Sequence, residues 1–169
     1  KTRDFSEDLD INWFLFTMLT IENHNEKDAK KNGLILPNKL KISGQLENNL
    51  LEGYGEINLN NKFKYQGNFV GGYFDGNGEL IKYDNWGDII SKRLGKFSKG
   101  KFMEGNVEES INQRWLNPLV QGYKIIGNMK NGVYSGFGRL EHNIHDDTFE
   151  GYFENNYPVK GYEKISGSY

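Results

Sequence analysis

Cysteine is absent from this chain of 169 residues, and long apolar runs are absent as well. Without cysteine there is no disulfide framework, no thiolate metal site and no cysteine nucleophile. The longest apolar stretch, INWFLFTMLTI at residues 11–21, is far shorter than the roughly twenty apolar residues of a membrane-spanning helix. Net positive charge is lacking too, since the formal charge is −2, which argues against a nucleic-acid partner. The sequence leaves the compartment open. We expect a soluble protein, with a cytoplasmic location slightly favoured and peripheral membrane attachment as the alternative.

Glycine and aromatic residues are abundant instead, and the glycines recur at a fixed spacing. Aromatic residues make up 14% of the chain, which is too many for a disordered protein. In three stretches a glycine is followed by two more, nine and eleven residues later. The glycines of these copies are Gly44, Gly53 and Gly55, then Gly67, Gly76 and Gly78, and finally Gly127, Gly136 and Gly138. We expect them to be structural, allowing positive φ or a close approach of neighbouring backbones.

Apolar residues keep a fixed frame around the first glycine of each copy, called here the lead glycine. They lie two residues before it, two residues after it and thirteen residues after it. Two weaker copies start at Gly95 and Gly151, and the next glycine of the frame, Gly105 or Gly161, comes one residue late. The basic step between lead glycines is 23 or 24 residues, and longer gaps around Gly95 indicate inserted loops.

The length of this step predicts the architecture. A unit of 23 or 24 residues fits two strands and two turns. Apolar and polar residues alternate beside each lead glycine, as in KYQGNF at residues 64–69, and this alternation is the period of a β-strand. The sequence therefore predicts a series of β-hairpins that follow one another in an antiparallel meander.

The unit resembles the MORN repeat (membrane occupation and recognition nexus). The family unit opens Tyr-x-Gly-x-aromatic and continues with Gly-x-Gly nine and eleven residues after the first glycine. YQGNFVGGYFDGNG at residues 65–78 matches it best, FEGYF at 149–153 matches the opening, and Ile42 and Ile125 replace the lead tyrosine in two copies. About five units cover residues 40–165, the third and fifth being degenerate. The resemblance implies a mainly β, elongated, single-layer antiparallel meander of repeated β-hairpins.

The N-terminal segment differs from the repeats. Ser6, followed by two acidic residues, is typical of a helix start, and Leu9 and Trp13 would then share one face of the helix. Apolar residues also alternate in this segment, which leaves a strand open, although we favour a helix that packs on the sheet. The expected organisation is an N-terminal apolar segment with a polar linker at 1–33 and a β-repeat domain at 34–169.

Aromatic residues near the paired glycines are candidate contacts for a partner protein. Repeated units place equivalent residues in a row, and exposed aromatic strips mark interfaces. The candidates are Tyr54, Tyr73, Phe74, Tyr134 and Phe137. The alternative is that these rings pack on one another or under the N-terminal segment. We expect a non-catalytic protein–protein interaction or scaffold module, with an inhibitor or immunity-type protein as a special case.

A run of basic residues supports an alternative function. KRLGKFSKGK at residues 92–101 contains no acid, and its cations are Lys92, Arg93, Lys96, Lys99 and Lys101. Such a run could bind anionic phospholipid, which would make the chain a membrane adaptor. It could equally be the solvated side of a strand pair, where lysine discourages edge pairing. Open sheet edges would also allow a homodimer.

The sequence indicates no enzyme, no cofactor and no metal. The glycine-rich stretch leads into another strand-like segment and lacks the Gly-Lys-Ser/Thr of a phosphate-binding loop. HNIHDD at residues 142–147 could ligate a metal, but a polar turn explains it better. Asp84, Trp86 and Asp88 likewise indicate an exposed loop rather than a sugar-binding rim or a catalytic site.

Overall fold

A computed structural model describes residues 34–35, 40–60, 62–111, 122–142 and 144–165. The expected N-terminal helix within residues 1–33 lies outside the described residues. In the described part, the strands are β1 (Leu34–Ile35), β2 (Leu40–Glu47), β3 (Leu50–Leu59), β4 (Phe63–Val70), β5 (Tyr73–Tyr83), β6 (Ile89–Ser98), β7 (Lys101–Ile111), β8 (Tyr123–Lys130), β9 (Val133–Tyr134), β10 (Gly136–His142), β11 (Thr148–Glu154) and β12 (Tyr157–Lys164).

The described strands form one antiparallel sheet in chain order. Eleven of them follow one another from β1 to β12, and the short β9 pairs with β8 beside β10. No helix occurs among the residues that the structure describes. The prediction of a mainly β antiparallel meander built from repeated hairpins is therefore confirmed.

Five hairpins close with the same two-residue turn. The turn residues lie four and five positions after each lead glycine, and all ten have positive φ between 47° and 84°. They are Asn48 and Asn49, Gly71 and Gly72, Lys99 and Gly100, Asn131 and Gly132, and Asn155 and Asn156. Two consecutive residues with positive φ define the type I′ turn, which matches the twist of paired strands and favours asparagine and glycine. The turns thus mark the five units that the glycine spacing predicts.

Backbone hydrogen bonds connect each of the last four turns to the unit before it. The N–H of Gly72 donates to the carbonyl oxygen of Leu51 at 3.0 Å, and the N–H of Gly100 donates to that of Phe74 at 2.9 Å. The two later turns make the same contact. The N–H of Asn131 donates to the carbonyl oxygen of Met103 at 2.7 Å, and the N–H of Asn156 donates to that of Tyr134 at 3.1 Å. The turns therefore bind the units together along one edge of the array.

A row of glycines crosses the sheet on the face that carries the core, called here the core face. Four of the five lead glycines pair directly with a glycine in a neighbouring strand, as Gly67 does with Gly55 on one side and Gly78 on the other. A Cβ atom at Gly78 would overlap the ring of Tyr65. Glycine is therefore required here because the tyrosine ring lies flat across the backbone.

The first glycine of a Gly-x-Gly pair has a different role from the second. In the first unit, Gln45 pairs with Glu52 and Gly44 pairs with Gly55. Gly53 and Tyr54 are thus extra residues in a bulge, where Gly53 has a φ of +70°. Gly76 and Gly136 have positive φ in the corresponding places.

The frame of the third and fifth units needs a correction. Gly105 pairs directly with the lead glycine Gly95, and Gly161 pairs with Gly151. Gly105 is therefore not a late counterpart of Gly53, as the spacing predicts, but the counterpart of Gly55 in a unit shorter by one residue. The physical reason is a smaller bulge, because only one residue, Met103, is extra between the pairs Phe97–Phe102 and Lys96–Glu104.

Large apolar side chains from successive units pack on the core face beside the glycine row. The residues two before and thirteen after the lead glycine are cross-strand partners, and each is buried. The pairs are Ile42 with Ile57, Tyr65 with Leu80, and Ile125 with Leu140. The ring of Tyr65 also stacks on that of Phe74, with centroids 3.7 Å apart. The repeating frame is thus the core of the protein.

The register of the sheet changes between β7 and β8. Here Val107 pairs with Gly127, and Gly105 pairs with Met129. The glycine row is therefore displaced by two residues at this junction, whereas it continues straight between the other units. The change divides the array into a first part, β2–β7, and a second part, β8–β12.

Candidate functional site

Exposed apolar side chains gather on the second face of the sheet, called here the outer face. Leu94, Ile126, Phe137 and Tyr152 lie there on β6, β8, β10 and β11, and are between 37% and 55% exposed. We call these four residues the outer patch. The rings of Phe137 and Tyr152 meet edge to face, with centroids 5.6 Å apart. Such a patch can bury apolar side chains of a partner.

The local sequence explains why the patch lies in the later units. The residue before the lead glycine points to the outer face, and it is Ser43 or Gln66 in the first two units but Leu94 or Ile126 in the next two. Phe137 stands between the two glycines of its pair, so the bulge places its ring on the same face. Apolar residues have thus replaced polar ones at equivalent positions of the repeat.

A groove of about 400 Å³ runs along the outer patch. Leu94, Ile126 and Phe137 form its apolar walls, and Lys92 and Arg139 stand at its rim. The groove also contains Asn106 and Asn128, which pair across β7 and β8 and are exposed. This combination suits an apolar side chain flanked by peptide groups, since amides can both donate and accept hydrogen bonds.

The five predicted contact residues do not share one strip. Phe137 belongs to the outer patch, and Tyr54 is 65% exposed on the outer face of β3. Six strand spacings separate β3 from β10, which is about 29 Å in a straight sheet. Phe74 packs in the core against Tyr65, Tyr134 is only 6% exposed on the core face, and Tyr73 is partly exposed beside its turn.

The basic run is divided between the two faces and the turn. The ammonium group of Lys92 lies 3.1 Å from the carboxylate of Glu79, and that of Lys96 lies 3.1 Å from Glu104. Arg93 points instead to the core face. Among the described residues, no carboxylate is within ion-pair distance of the side chains of Lys99 and Lys101 at the β6–β7 turn.

Arg93 belongs to a partly buried polar cluster that sequence reasoning missed. Its Nε donates to Oε1 of Glu109 at 2.5 Å, and Ser91 Oγ donates to the same oxygen at 2.8 Å. The hydroxyl of Tyr134 donates to the other carboxylate oxygen at 2.5 Å. A signal was available, because Arg93 takes the place two residues before the lead glycine, where the other units have isoleucine or an aromatic residue.

The environment of this cluster shifts the pKa values of its members. Burial alone would raise the pKa of Glu109, but the charge of Arg93 and three hydrogen bonds outweigh it and lower the pKa overall. Burial, followed by the adjacent Glu109 carboxylate, raises the pKa of Tyr134. Glu109 is therefore an anion and Tyr134 a neutral donor at neutral pH. Both carboxylate oxygens of Glu109 accept hydrogen bonds within the cluster, so we assign it to the structure of the sheet rather than to chemistry.

Ion pairs between units balance much of the charge on the outer face. A lysine lies three residues before the lead glycine in four units, at positions 41, 64, 92 and 124. Lys64 pairs with Glu56 at 3.2 Å, Lys92 with Glu79, and Lys124 with Glu108. Each pair joins a unit to the one before it. The lysine period was visible in the sequence, but its partners become apparent only when the strands are paired.

The other polar candidates form turns. The Oδ1 atom of Asp84 accepts the backbone N–H groups of Trp86 and Asp88, each at 2.9 Å, and so closes the β5–β6 loop. His142 Nδ1 accepts the N–H of His145 at 3.1 Å in the β10–β11 connection. In the described ranges, no group of three or more histidine or acidic side chains could hold a metal ion.

Comparison with known proteins provides no family for this chain. No protein-family model matches the sequence, and no curated protein matches it. Within the described residues, no helix has the length and apolar character needed to cross a bilayer.

Proposed function

We propose that this chain is a non-catalytic interaction module that binds another protein through the outer patch. The observation that carries the proposal is the gathering of four exposed apolar residues on the outer face, three of which line a groove. The proposed ligand is a protein segment that inserts an apolar side chain between Leu94, Ile126 and Phe137. Inhibitor or immunity-type binding would be one use of such a module.

The repeated sheet supports this assignment. An array of hairpins presents a broad surface of regular side-chain rows, and repeat proteins commonly use such surfaces for binding. We propose that the array belongs to the MORN-like class because the glycine frame, the hairpins and the tyrosine of the best unit agree with it. The proposal for the binding face rests on the patch itself and not on that likeness.

Phe137 and Tyr54 allow a matched test. Both stand between the glycines of a Gly-x-Gly pair and both are exposed on the outer face, but only Phe137 lies in the outer patch. The purified chain would be used to capture proteins from its native source, and the affinity of the captured protein would then be measured by titration calorimetry. Because central aromatic residues often contribute about 2 kcal/mol or more to binding, Phe137→Ala should weaken the affinity roughly thirtyfold.

The control variant, Tyr54→Ala, should bind as the unchanged chain does. Hydrogen exchange of the complex should protect amides of β8 and β10 more than those of β3. If Tyr54→Ala weakens binding while Phe137→Ala does not, the outer patch is the wrong surface. If both variants bind unchanged, the outer patch is excluded as the binding site.

A second candidate function is binding to anionic phospholipid. It is favoured by Lys99 and Lys101, which lie together at the β6–β7 turn without an ion pair among the described residues. It is disfavoured by Lys92, Lys96 and Arg93, whose charges are balanced within the sheet. Co-sedimentation with phosphatidylserine vesicles, lost in Lys99→Glu/Lys101→Glu and in high salt, would support the membrane role. No sedimentation at low salt would exclude it.

A further inference from the structure

The last described strand, β12, has an open edge. It pairs with β11 on one side and, among the described residues, with no strand on the other. Seven of its eight residues are exposed, and the ring of Tyr162 is 89% exposed on the outer face. Tyr157 and Val159 are also more than half exposed. An edge of this kind presents alternate N–H and C=O groups to a further strand.

We propose that a second copy of this chain pairs with this edge, so that two β12 strands run antiparallel about a two-fold axis at Gly161. The same strand supplies both sides of the contact, which is the arrangement of a symmetric dimer. The axis is perpendicular to the sheet, so the outer faces of both copies lie on the same side. The two sheets then become one.

The charges of β12 select this register. Lys160, Tyr162 and Lys164 share the outer face, and Glu163 lies on the core face. With Gly161 on the axis, each Lys160 faces the Tyr162 ring of the other copy, a favourable cation–π pair. An axis at Tyr162 would place Lys160 opposite Lys164 twice, and an axis at Lys160, Glu163 or Lys164 would oppose two identical charges. Among axes at residues 160–164, only the one at Gly161 avoids opposed like charges.

Two features at the start of β12 limit how far the pairing extends. Pro158 has no N–H to donate, and the register between β11 and β12 shifts at Val159. Both are devices that normally protect an edge strand. Here they confine pairing to the second half of the strand, where the lysines and Tyr162 fix the alignment. The charged residues thus favour one register of the pairing and do not prevent strand pairing altogether.

The experiment is sedimentation equilibrium of the 169-residue chain over a wide concentration range. The unchanged chain should pass from 19.5 kDa to twice that mass as the concentration rises. Tyr162→Lys places a lysine opposite Lys160 of the other copy on both sides of the axis. It should therefore raise the dissociation constant of the dimer at least tenfold. Tyr162→Glu should keep or strengthen the dimer, because it creates two ion pairs with Lys160. Far-UV circular dichroism would verify that each variant is folded.

The double variant Lys160→Glu/Tyr162→Lys provides the decisive comparison. It reverses the facing pair, so it should restore the dimer that Tyr162→Lys loses. A chain that is monomeric at all concentrations overturns the proposal, and so does a dimer that Tyr162→Lys leaves intact. A dimer lost in Phe137→Ala but kept in Tyr162→Lys would place the contact on the outer patch and also overturn it. The result does not depend on whether the outer patch binds another protein.

Discussion

Single glycines on the core face are fixed by contacts that a methyl group would disturb. At Gly95 an added Cβ would overlap the carbonyl oxygen of Glu104 in the neighbouring strand. Backbone atoms cannot turn aside as a flexible side chain can, so the two strands would have to separate. The same argument applies at Gly105, Gly151 and Gly161, where an added Cβ would also overlap a backbone oxygen of the neighbouring strand.

Gly95→Ala should therefore lower the free energy of unfolding by about 3 kcal/mol. The matched control is Gly132→Asn, at the second position of a turn where other units already have Asn49 and Asn156. It should change the free energy by no more than about 0.5 kcal/mol. Urea denaturation followed by tryptophan fluorescence would measure both, and equal effects of the two variants would contradict the contact argument.

Glu109 makes the stability of the sheet depend on pH. Its pKa is lower in the folded chain than the ordinary value of 4.5, so its ionised form stabilises the fold. This stabilisation is fully present above pH 4.5 and is lost as the pH falls through the folded-state pKa. Acid therefore removes the counter-charge of Arg93 on the core face.

Glu109→Gln should lower the free energy of unfolding by about 3 kcal/mol at neutral pH, because Arg93 is left without its counter-charge. The difference from the unchanged chain should shrink as the pH falls through the folded-state pKa of Glu109, because both side chains are then uncharged. Urea denaturation across this range would test the expectation. A difference that stays constant with pH would show that the carboxylate charge is not what stabilises the cluster.

At the scale of the hairpin, the sequence predicts the unit well but not its bulge. The pairs Ile42–Ile57 and Tyr65–Leu80 follow from a frame that is visible in the letters alone. The size of the bulge does not follow from the sequence, because either one or two extra residues fit between the same turn and the same glycine row. The spacing therefore predicts the wrong position for Gly105, whose true partner in the paired strands is Gly95.

The turn of the third unit is the least favourable of the five. Lys99 has a φ of 47°, whereas three other units have asparagine at the same position. Left-handed backbone costs an ordinary residue about 1 kcal/mol or more, and asparagine tolerates it better. Lys99→Asn should therefore raise the unfolding free energy by about 1 kcal/mol. Lys101→Asn, beside the turn but in a strand, is the control, and an equal gain there would contradict this explanation.

The outer patch could be predicted only in part. Phe137 was identified by its place between two glycines, but Leu94, Ile126 and Tyr152 were not. Their exposure depends on which side of the sheet they occupy, and one extra residue in a bulge reverses that side. Tyr134 shows the opposite error. The sequence predicts it to contact a partner, but its side chain is buried and its hydroxyl donates to Glu109.

At the scale of the whole array, each unit contacts mainly its neighbours, so stability should vary along it. Among the described residues, β12 pairs with a strand on one side only, whereas β4 lies between two strands and carries the buried Tyr65 and Phe69. Native-state hydrogen exchange at low protein concentration should show the fastest exchange in β12 and the slowest in β4 and β5. Uniform protection across all strands would indicate one cooperative unit instead.

The strict chain order of the sheet has a mechanical consequence. Among the described strands, the two at the ends of the sheet order, β1 and β12, are also the first and last in sequence. Tension applied to the ends would therefore peel hairpins off one at a time, with few bonds bearing the load at any moment. Each released unit of 23 or 24 residues would add about 80 Å of contour length. Under load the array would behave as an extensible tether that yields in steps and re-forms from the hairpins that remain.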